Sequence, residues 1–451
     1  MFSTIIERFA EKVPATLMIH VLLERFLQPA AIDEWFDQVA EQQYTRSLLF
    51  STVLQLMLQV VLKQQPSLHA AYQKDGNVAV SVTSLYNKIN NLELTTSRSL
   101  VKFAAEQSIA LIKVLQPPLA PILPGYRVKI LDGNCLKATQ HRLKVTHEKG
   151  AAPLPGKSLA MYDPQLGVIL DILPCEDGHA QERSLLSEVI DQIDANDLWI
   201  ADRNFCVTHF LHRIARLKGY FIIRYHANLT CSALSELMAV ECCESGALFE
   251  QLVTVTNTAG DVLQLRRIVL QLYTPTTDGE NEIILLSNLP QSVSAAQIAA
   301  LYRGRWQIEG AFQQLEAYFD SEIETLAYPK AALFCFAVAV VAYNIYAVVL
   351  AALQAAHPQS SIKEEFSPYY LANEISNSHA GIVIAAEEDE FDFIQHSTIA
   401  KVADTLRYLA SKVSLKQFKK HKRGPKKARP PRAYSPNQPH VSTFKLLIDH
   451  A

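Results

Sequence analysis

"AALFCFAVAVVAYNIYAVVLAAL", the run that opens at Ala331, leaves a chain few ways to fold. It is uncharged and about long enough to cross a bilayer. Two kinds of protein tolerate such a run. One spans a membrane; the other has a core large enough to enclose a long apolar helix. Three features favour the core. The run is rich in alanine, it holds Asn344 near its middle, and no cluster of basic residues flanks either end. A buried core helix is therefore expected. The alternative, a membrane protein built on this run, predicts a chain that pellets with membranes and resists high-salt extraction.

The chain has 451 residues, 49% hydrophobic and 19% charged, enough for such a core and for two to four structural units. A net charge of -3 gives no hint of a nucleic-acid partner, but the charge is unevenly spread. Near the C-terminus "KQFKKHKRGPKKARPPR" carries nine Lys or Arg and no acid, a tail suited to salt-dependent DNA affinity. The N-terminal "MFSTIIERFAEKVPATLMIHVLLERF" mixes charges into its apolar stretch, so no signal peptide is expected. Seven cysteines without a CxxC pair point to reduced thiols in a cytosolic protein rather than to a disulfide framework or a zinc site.

Residues 1–120 read as mostly helical. Within them "VTSLYNKINNLE" is either the second helix of a helix-turn-helix or one more helix of a small bundle, so this region is a possible DNA-binding domain. "QPPLAPILPG" marks a boundary. The pattern then changes to β-β-β-α-β-α-β, which implies an α/β fold with a mixed sheet flanked by helices. Residues 121–226 form the first part of this core and 227–290 a β-rich insertion. Residues 291–358 complete the core, and 359–451 form a C-terminal region ending in the basic tail.

Two of the strands end in a carboxylate. In "YRVKILDGN" Val128, Ile130 and Asp132 share a face; in "DLWIADRNF" Leu198, Ile200 and Asp202 do. Each acid stands beside a core, where it needs a cation, a proton or hydrogen-bond donors. A third acid, Glu309, lies in "YRGRWQIEGAFQQLEAYF", which reads as one helix. Tyr302, Arg305 and Glu309 recur on one face, beside an apolar stripe of Ile308, Phe312, Leu315 and Phe319. Asp132, Asp202 and Glu309 together would make a hard-oxygen site suited to Mg²⁺. Two such ions, about 4 Å apart, would activate water and stabilise the leaving oxygen in phosphodiester cleavage. Arg305 would fork onto a phosphate, Tyr302 would reach the same backbone, and Trp306 would stack on an unpaired base.

Taken singly, each signal has an ordinary explanation. An Asp after a strand is a common turn former, and Arg305 with Glu309 is a common surface ion pair. The order strand, strand, insertion, helix makes the set specific. Arg203 and Asn204 after Asp202, and Lys137 and Arg142 after Asp132, are candidate contacts to the DNA backbone, with surface charge as the alternative. Asp177, His179 and Glu182 in "EDGHAQE" could line the site, but helix capping by Asp177 and acids in a first turn account for them.

On these residues the chain resembles the bacterial insertion-sequence transposases of the IS4 type, which carry a DDE triad on a ribonuclease-H-like core. The resemblance covers most of the chain. It rests on "LDGNCLKATQHRL", "LPGKSLAMYDPQLG", "CEDGHAQERSLL", "WIADRNFC", "YRGRWQIEGAFQQLE", "SEIETLAYPKAALF" and "AYN". It implies that Asp132 and Asp202 are the two aspartates and Glu309 the glutamate, catalytic and metal-binding together. It also implies two Mg²⁺ ions, replaceable by Mn²⁺, and as partners the element's terminal inverted repeats and a target DNA. A cut-and-paste route with a hairpin intermediate, a synaptic homodimer and a cytoplasmic, nucleoid-associated location without membrane contact follow in the same way. The family signature Y-x2-R-x3-E-x6-K is met at Tyr302, Arg305 and Glu309, but Glu316 stands in the lysine's place. That departure marks a subgroup with different DNA contacts, or an impaired or domesticated copy that holds DNA without cutting it. The intact triad favours the subgroup.

Overall fold

The computed structural model describes residues 2–42, 47–76, 78–276, 279–387, 389–421 and 440–450. Most of the basic tail therefore lies outside the described residues.

Among the described residues, seven helices precede the first long strand. They are α1 (Thr4–Lys12), α2 (Pro14–Phe26), α3 (Pro29–Val39), α4 (Phe50–Val61), α5 (Leu68–Asp75), α6 (Val82–Asn90) and α7 (Leu94–Leu115). Local chemistry sets several starts. The hydroxyls of Ser3, Ser67 and Ser81 accept the N–H three residues on, and Pro14 and Pro29 open their helices.

Past the proline-rich boundary come β1 (Arg127–Cys135), the short β2 (Pro153–Leu154), β3 (Lys157–Asp163) and β4 (Val168–Cys175). Next are α8 (Leu186–Ile190), β5 (Asp197–Ala201), α9 (Thr208–Arg216) and β6 (Tyr220–Arg224). Strands β1, β5 and β6 pair in parallel, while β3 and β4 add antiparallel beside β1. The order β4-β3-β1-β5-β6 is a ribonuclease-H-like mixed sheet. The β3–β4 turn follows its sequence. Asp163 accepts the N–H groups of Gln165 and Leu166, and Gly167 takes a φ of +73° that favours glycine.

The segment expected as an insertion continues this sheet. β7 (Ser232–Ala233), β8 (Met238–Cys243), β9 (Gly246–Thr256), β10 (Val262–Leu272) and β11 (Glu282–Ser287) extend it to ten strands, because β11 pairs with the open edge of β6. Then come α10 (Ala295–Arg303), α11 (Trp306–Tyr318) and α12 (Pro329–Ala356). The chain ends in α13 (Ile362–Glu365), α14 (Pro368–Ala385), α15 (Asp392–Gln395), α16 (Ile399–Lys412), β12 (Val441–Ser442) and α17 (Thr443–Asp449).

The apolar run lies in α12, whose most apolar stretch is 94% buried inside the fold. Helices α2, α4, α7 and α16 and strand β4 surround it. Asn344 is fully buried there and is satisfied by β4: its amide donates to the Ile169 carbonyl at 2.8 Å and accepts the Ile169 N–H at 2.9 Å. A second tie joins the N-terminal helices to the sheet, where Arg98 of α7 forks onto the buried Asp171 of β4. One core thus spans the helices and one face of the sheet. Strand alternation decides which side chains enter it. Val128, Ile130, Leu198, Ile200 and Ile222 face that core, whereas Leu131, Trp199, Ala201, Phe221 and Ile223 pack with α8 and α9 on the other face.

The polar helix expected over "YRGRWQIEGAFQQLEAYF" is two helices. A turn at Gly304 and Arg305 ends α10 and starts α11, while Gly310, the segment's other glycine, lies inside α11. The apolar stripe survives on α11, with Ile308 and Leu315 fully buried and Phe319 closing the helix.

Candidate active site

Parallel strands β1, β5 and β6 fix the geometry. Ile130, Ile200 and Ile222 are cross-strand neighbours. Two residues further on, on the same face, come Asp132, Asp202 and Arg224. Asp202 and Arg224 lie at the carboxyl ends of β5 and β6, where open α/β sheets gather their ligands; β1 does not end at Asp132 as expected but loses β5 there and runs on beside β3 to Cys135. The turn between α10 and α11 sits over these three residues.

Arg305 occupies the centre. Its Nη1 donates to Asp132 Oδ2 at 2.5 Å and its Nη2 to Glu309 Oε1 at 3.0 Å. Only 8% of Arg305 is exposed, and its Nε has no acceptor among the described residues. Tyr302 lies beside it, nearly buried, and its hydroxyl donates to Asp202 Oδ1 at 3.3 Å. Arg305 thus holds two of the three acids expected from the sequence, and Tyr302, one turn earlier, holds the third.

Asp132 also accepts the N–H of Gly133 at 2.9 Å. Burial pushes its carboxyl up to about 6; Arg305 and the Gly133 N–H oppose that, while Glu309 and Glu182 reinforce it. Burial, with the Asp202 carboxylate adding to it, raises the Tyr302 hydroxyl above the ordinary phenol value. For Arg305 burial acts downward, but Asp132, Tyr302, Asp202 and Glu309 outweigh it and hold the guanidinium charged.

Trp306 is 62% exposed and lies against the Arg305 guanidinium, its ring centre 5.3 Å away. Arg203 and Asn204 form the short turn after Asp202. Arg203 pairs with Glu280 at 3.2 Å, and the Asn204 amide donates to Glu182 at 3.4 Å. Lys137 and Arg142 contact none of the acids. Lys137 pairs with Glu324 at 2.9 Å, and Arg142 donates to Gln140 at 2.9 Å. The Glu324 hydrogen bond leads in raising the Lys137 ammonium above its usual value, and Glu316 and Glu322 contribute. Glu316 therefore lies in the field of a lysine supplied by another element.

Two participants carried weaker signals. Glu182 reaches over Gly133 so closely that a Cβ there would lie 2.1 Å from its Oε1, so any side chain at 133 would push the Glu182 carboxylate aside. Arg224 shares the row of the aspartates, which the alternation of "YFIIRY" allows but which needs the β5–β6 pairing to be seen. Asp177 does not cap a helix: it accepts the His179 N–H at 3.0 Å in a turn and pairs with Lys445 of α17 at 3.2 Å.

The donor set suits a hard divalent cation: Asp132 and Glu309 share the buried Arg305, and Asp202 stands beside them on Tyr302. As they stand, no three acidic, His or Cys side chains among the described residues are arranged to hold a metal ion. The guanidinium lies between two of the acids, so its displacement would free Asp132 and Glu309 for a cation.

Residues 123–345 match the family model described as the transposase DDE domain. The match opens just before β1, ends within α12 and contains Asp132, Asp202 and Glu309. It indicates a DDE-type transposase, a nuclease-like enzyme acting on DNA. Such enzymes generally use divalent metal ions. No curated protein matches the chain.

Proposed function

We propose that this chain is a cut-and-paste transposase of the IS4 type that cleaves the ends of an insertion element and joins them to target DNA. One observation carries the reading: within the DDE-domain match, acids from two adjacent parallel strands and a separate helix are held by the neighbouring Arg305 and Tyr302. Asp132, Asp202 and Glu309 would hold Mg²⁺, as two ions replaceable by Mn²⁺, supplying an activated water and charge stabilisation at the leaving oxygen. Arg305 binds the scissile phosphate through its fork, and Tyr302 holds Asp202 in place and borders the same phosphate. Trp306, exposed at the rim, stacks on a base freed from its partner. The freed 3′-hydroxyl is the nucleophile for joining, so Tyr302 positions and does not react.

The partners are the terminal inverted repeats and target DNA, held by a homodimer in the nucleoid, with the basic tail adding salt-dependent affinity. Nicking of supercoiled plasmid by the purified protein tests the reading. Activity with Mg²⁺ or Mn²⁺, absent in EDTA and in Glu309→Gln, is expected. Wild type no more active than Glu309→Gln would leave the other reading, a domesticated copy that binds DNA without cutting it. Glu316 is its support, and the neighbouring Lys137 weakens that support.

A further inference from the structure

The row that carries Asp132 and Asp202 continues with a cation, Arg224, at the end of β6. Its side chain is only 17% exposed, so its charge needs a partner. That partner is Glu280, from the connection between β10 and β11. Glu280 Oε2 pairs with Arg224 Nη2, and its Oε1 takes Arg203 Nη1 at 3.2 Å. A backbone turn presents the carboxylate: the Glu280 N–H donates to Thr276 Oγ1 at 3.1 Å and the Thr276 N–H to the Glu280 carbonyl at 2.9 Å. Arg203 directly follows Asp202, and Asp202 and Tyr302 both lie in the electrostatic field of Arg224. Arg203, Arg224 and Glu280 line an open groove of about 880 Å³.

Two guanidiniums aimed at the two oxygens of one carboxylate form a receptor for a phosphodiester, which offers two non-bridging oxygens and one negative charge in a similar fork. We propose that Arg203 and Arg224 form a DNA-phosphate subsite beside Asp202, and that Glu280 is an internal surrogate which an incoming backbone phosphate displaces. This rests on the transposase reading and extends it by giving part of the added sheet a task. The β10–β11 connection carries an anion that keeps the subsite closed to weaker anions until DNA arrives.

Fluorescence anisotropy in EDTA tests this with the full-length protein and a short labelled oligothymidylate, over a series of NaCl concentrations. Two partly exposed ion pairs compete with the phosphate, so Glu280→Gln and Glu280→Ala each tighten binding by about fivefold. Arg224→Gln weakens binding and lowers the salt slope by about one. In an Arg203→Gln/Arg224→Gln background the gain from Glu280→Gln disappears. If both Glu280 variants, melting as wild type does, bind no more tightly or more weakly, Glu280 only orients the arginines and the surrogate is ruled out. A wild-type protein that binds the oligonucleotide while Glu280→Gln changes nothing sinks this inference alone. A wild type that fails to bind DNA even at low salt sinks the DNA reading with it.

Discussion

Replacing Asp132 by Asn should make the protein more stable at neutral pH while abolishing cleavage. The Asp132 side chain is 17% exposed, and burial lifts its carboxyl from 3.8 to about 6 despite Arg305. The folded value lies above the unfolded one, so the unfolded chain gives up its proton first. Stability is therefore lost as pH rises from about 4 through about 6, and the loss is constant above that. A shift of roughly two units, at 1.36 kcal/mol per unit, makes the ionised group cost about 3 kcal/mol at pH 8. Asn cannot ionise, and Arg305 keeps Glu309 as its partner. Asp132→Asn should thus exceed wild type by up to about 3 kcal/mol at pH 8, a few degrees in melting temperature for a chain of this size, and by nothing near pH 4. Melts followed by circular dichroism in EDTA across that range measure the gap. Mg²⁺ should narrow it, because a cation held by the native acids stabilises wild type alone. An Asn variant that melts at or below wild type at pH 8, or a gap that ignores pH, refutes the argument.

Other substitutions separate fold from site. Trp306→Ala leaves the melting temperature unchanged but weakens single-strand binding by about 1–3 kcal/mol in titrations, and Trp306→Phe recovers most of it. Asp202→Asn removes plasmid nicking by about three orders of magnitude while oligonucleotide affinity stays within a few fold. Glu316→Lys tightens duplex binding and steepens its salt dependence by about one unit of slope, since it removes an acid beside Lys137 and adds a cation. Asn344→Leu leaves both polar groups of Ile169 without their α12 partner in a dry core, and lowers stability in denaturant melts by about 2–4 kcal/mol.

Much of this arrangement could be read from local pattern. A period of two placed Asp132 above Val128 and Ile130, and Asp202 above Leu198 and Ile200, on the face that meets α10 to α12. An uncharged run with one central asparagine became a core helix with that asparagine bonded to a strand. What escaped depended on pairing between distant segments. The join of β11 to β6, which turns an insertion into more of the same sheet, leaves no trace in either strand's own residues. Arg224 joins the acidic row only once β5 and β6 are known to be neighbours. Glu182 does lie in the first turn of a short helix, as expected, but its reach to Gly133 is tertiary and could not be read locally. The break at Gly304 has no local signal of its own, since Gly310 in the same segment sits inside an unbroken helix.

Arg305 then links the two ligands of the proposed reaction. Asp132 and Glu309 share its charge, and its buried Nε has no acceptor among the described residues, an omission that costs on the order of 1–3 kcal/mol. A non-bridging phosphate oxygen is the acceptor such a donor lacks. A guanidinium turned toward phosphate would leave two acids short of positive charge, with one of them already burdened by burial. A divalent cation relieves that shortage better than a proton does at neutral pH. DNA would favour the metal, and by reciprocity the metal would favour DNA, with one side chain carrying the coupling. The free protein meanwhile offsets part of the charge of Asp132 and Glu309 with its own arginine. On this reading the residues that recognise phosphate and those that hold the cation form one site because they are each other's counter-charges before either ligand arrives.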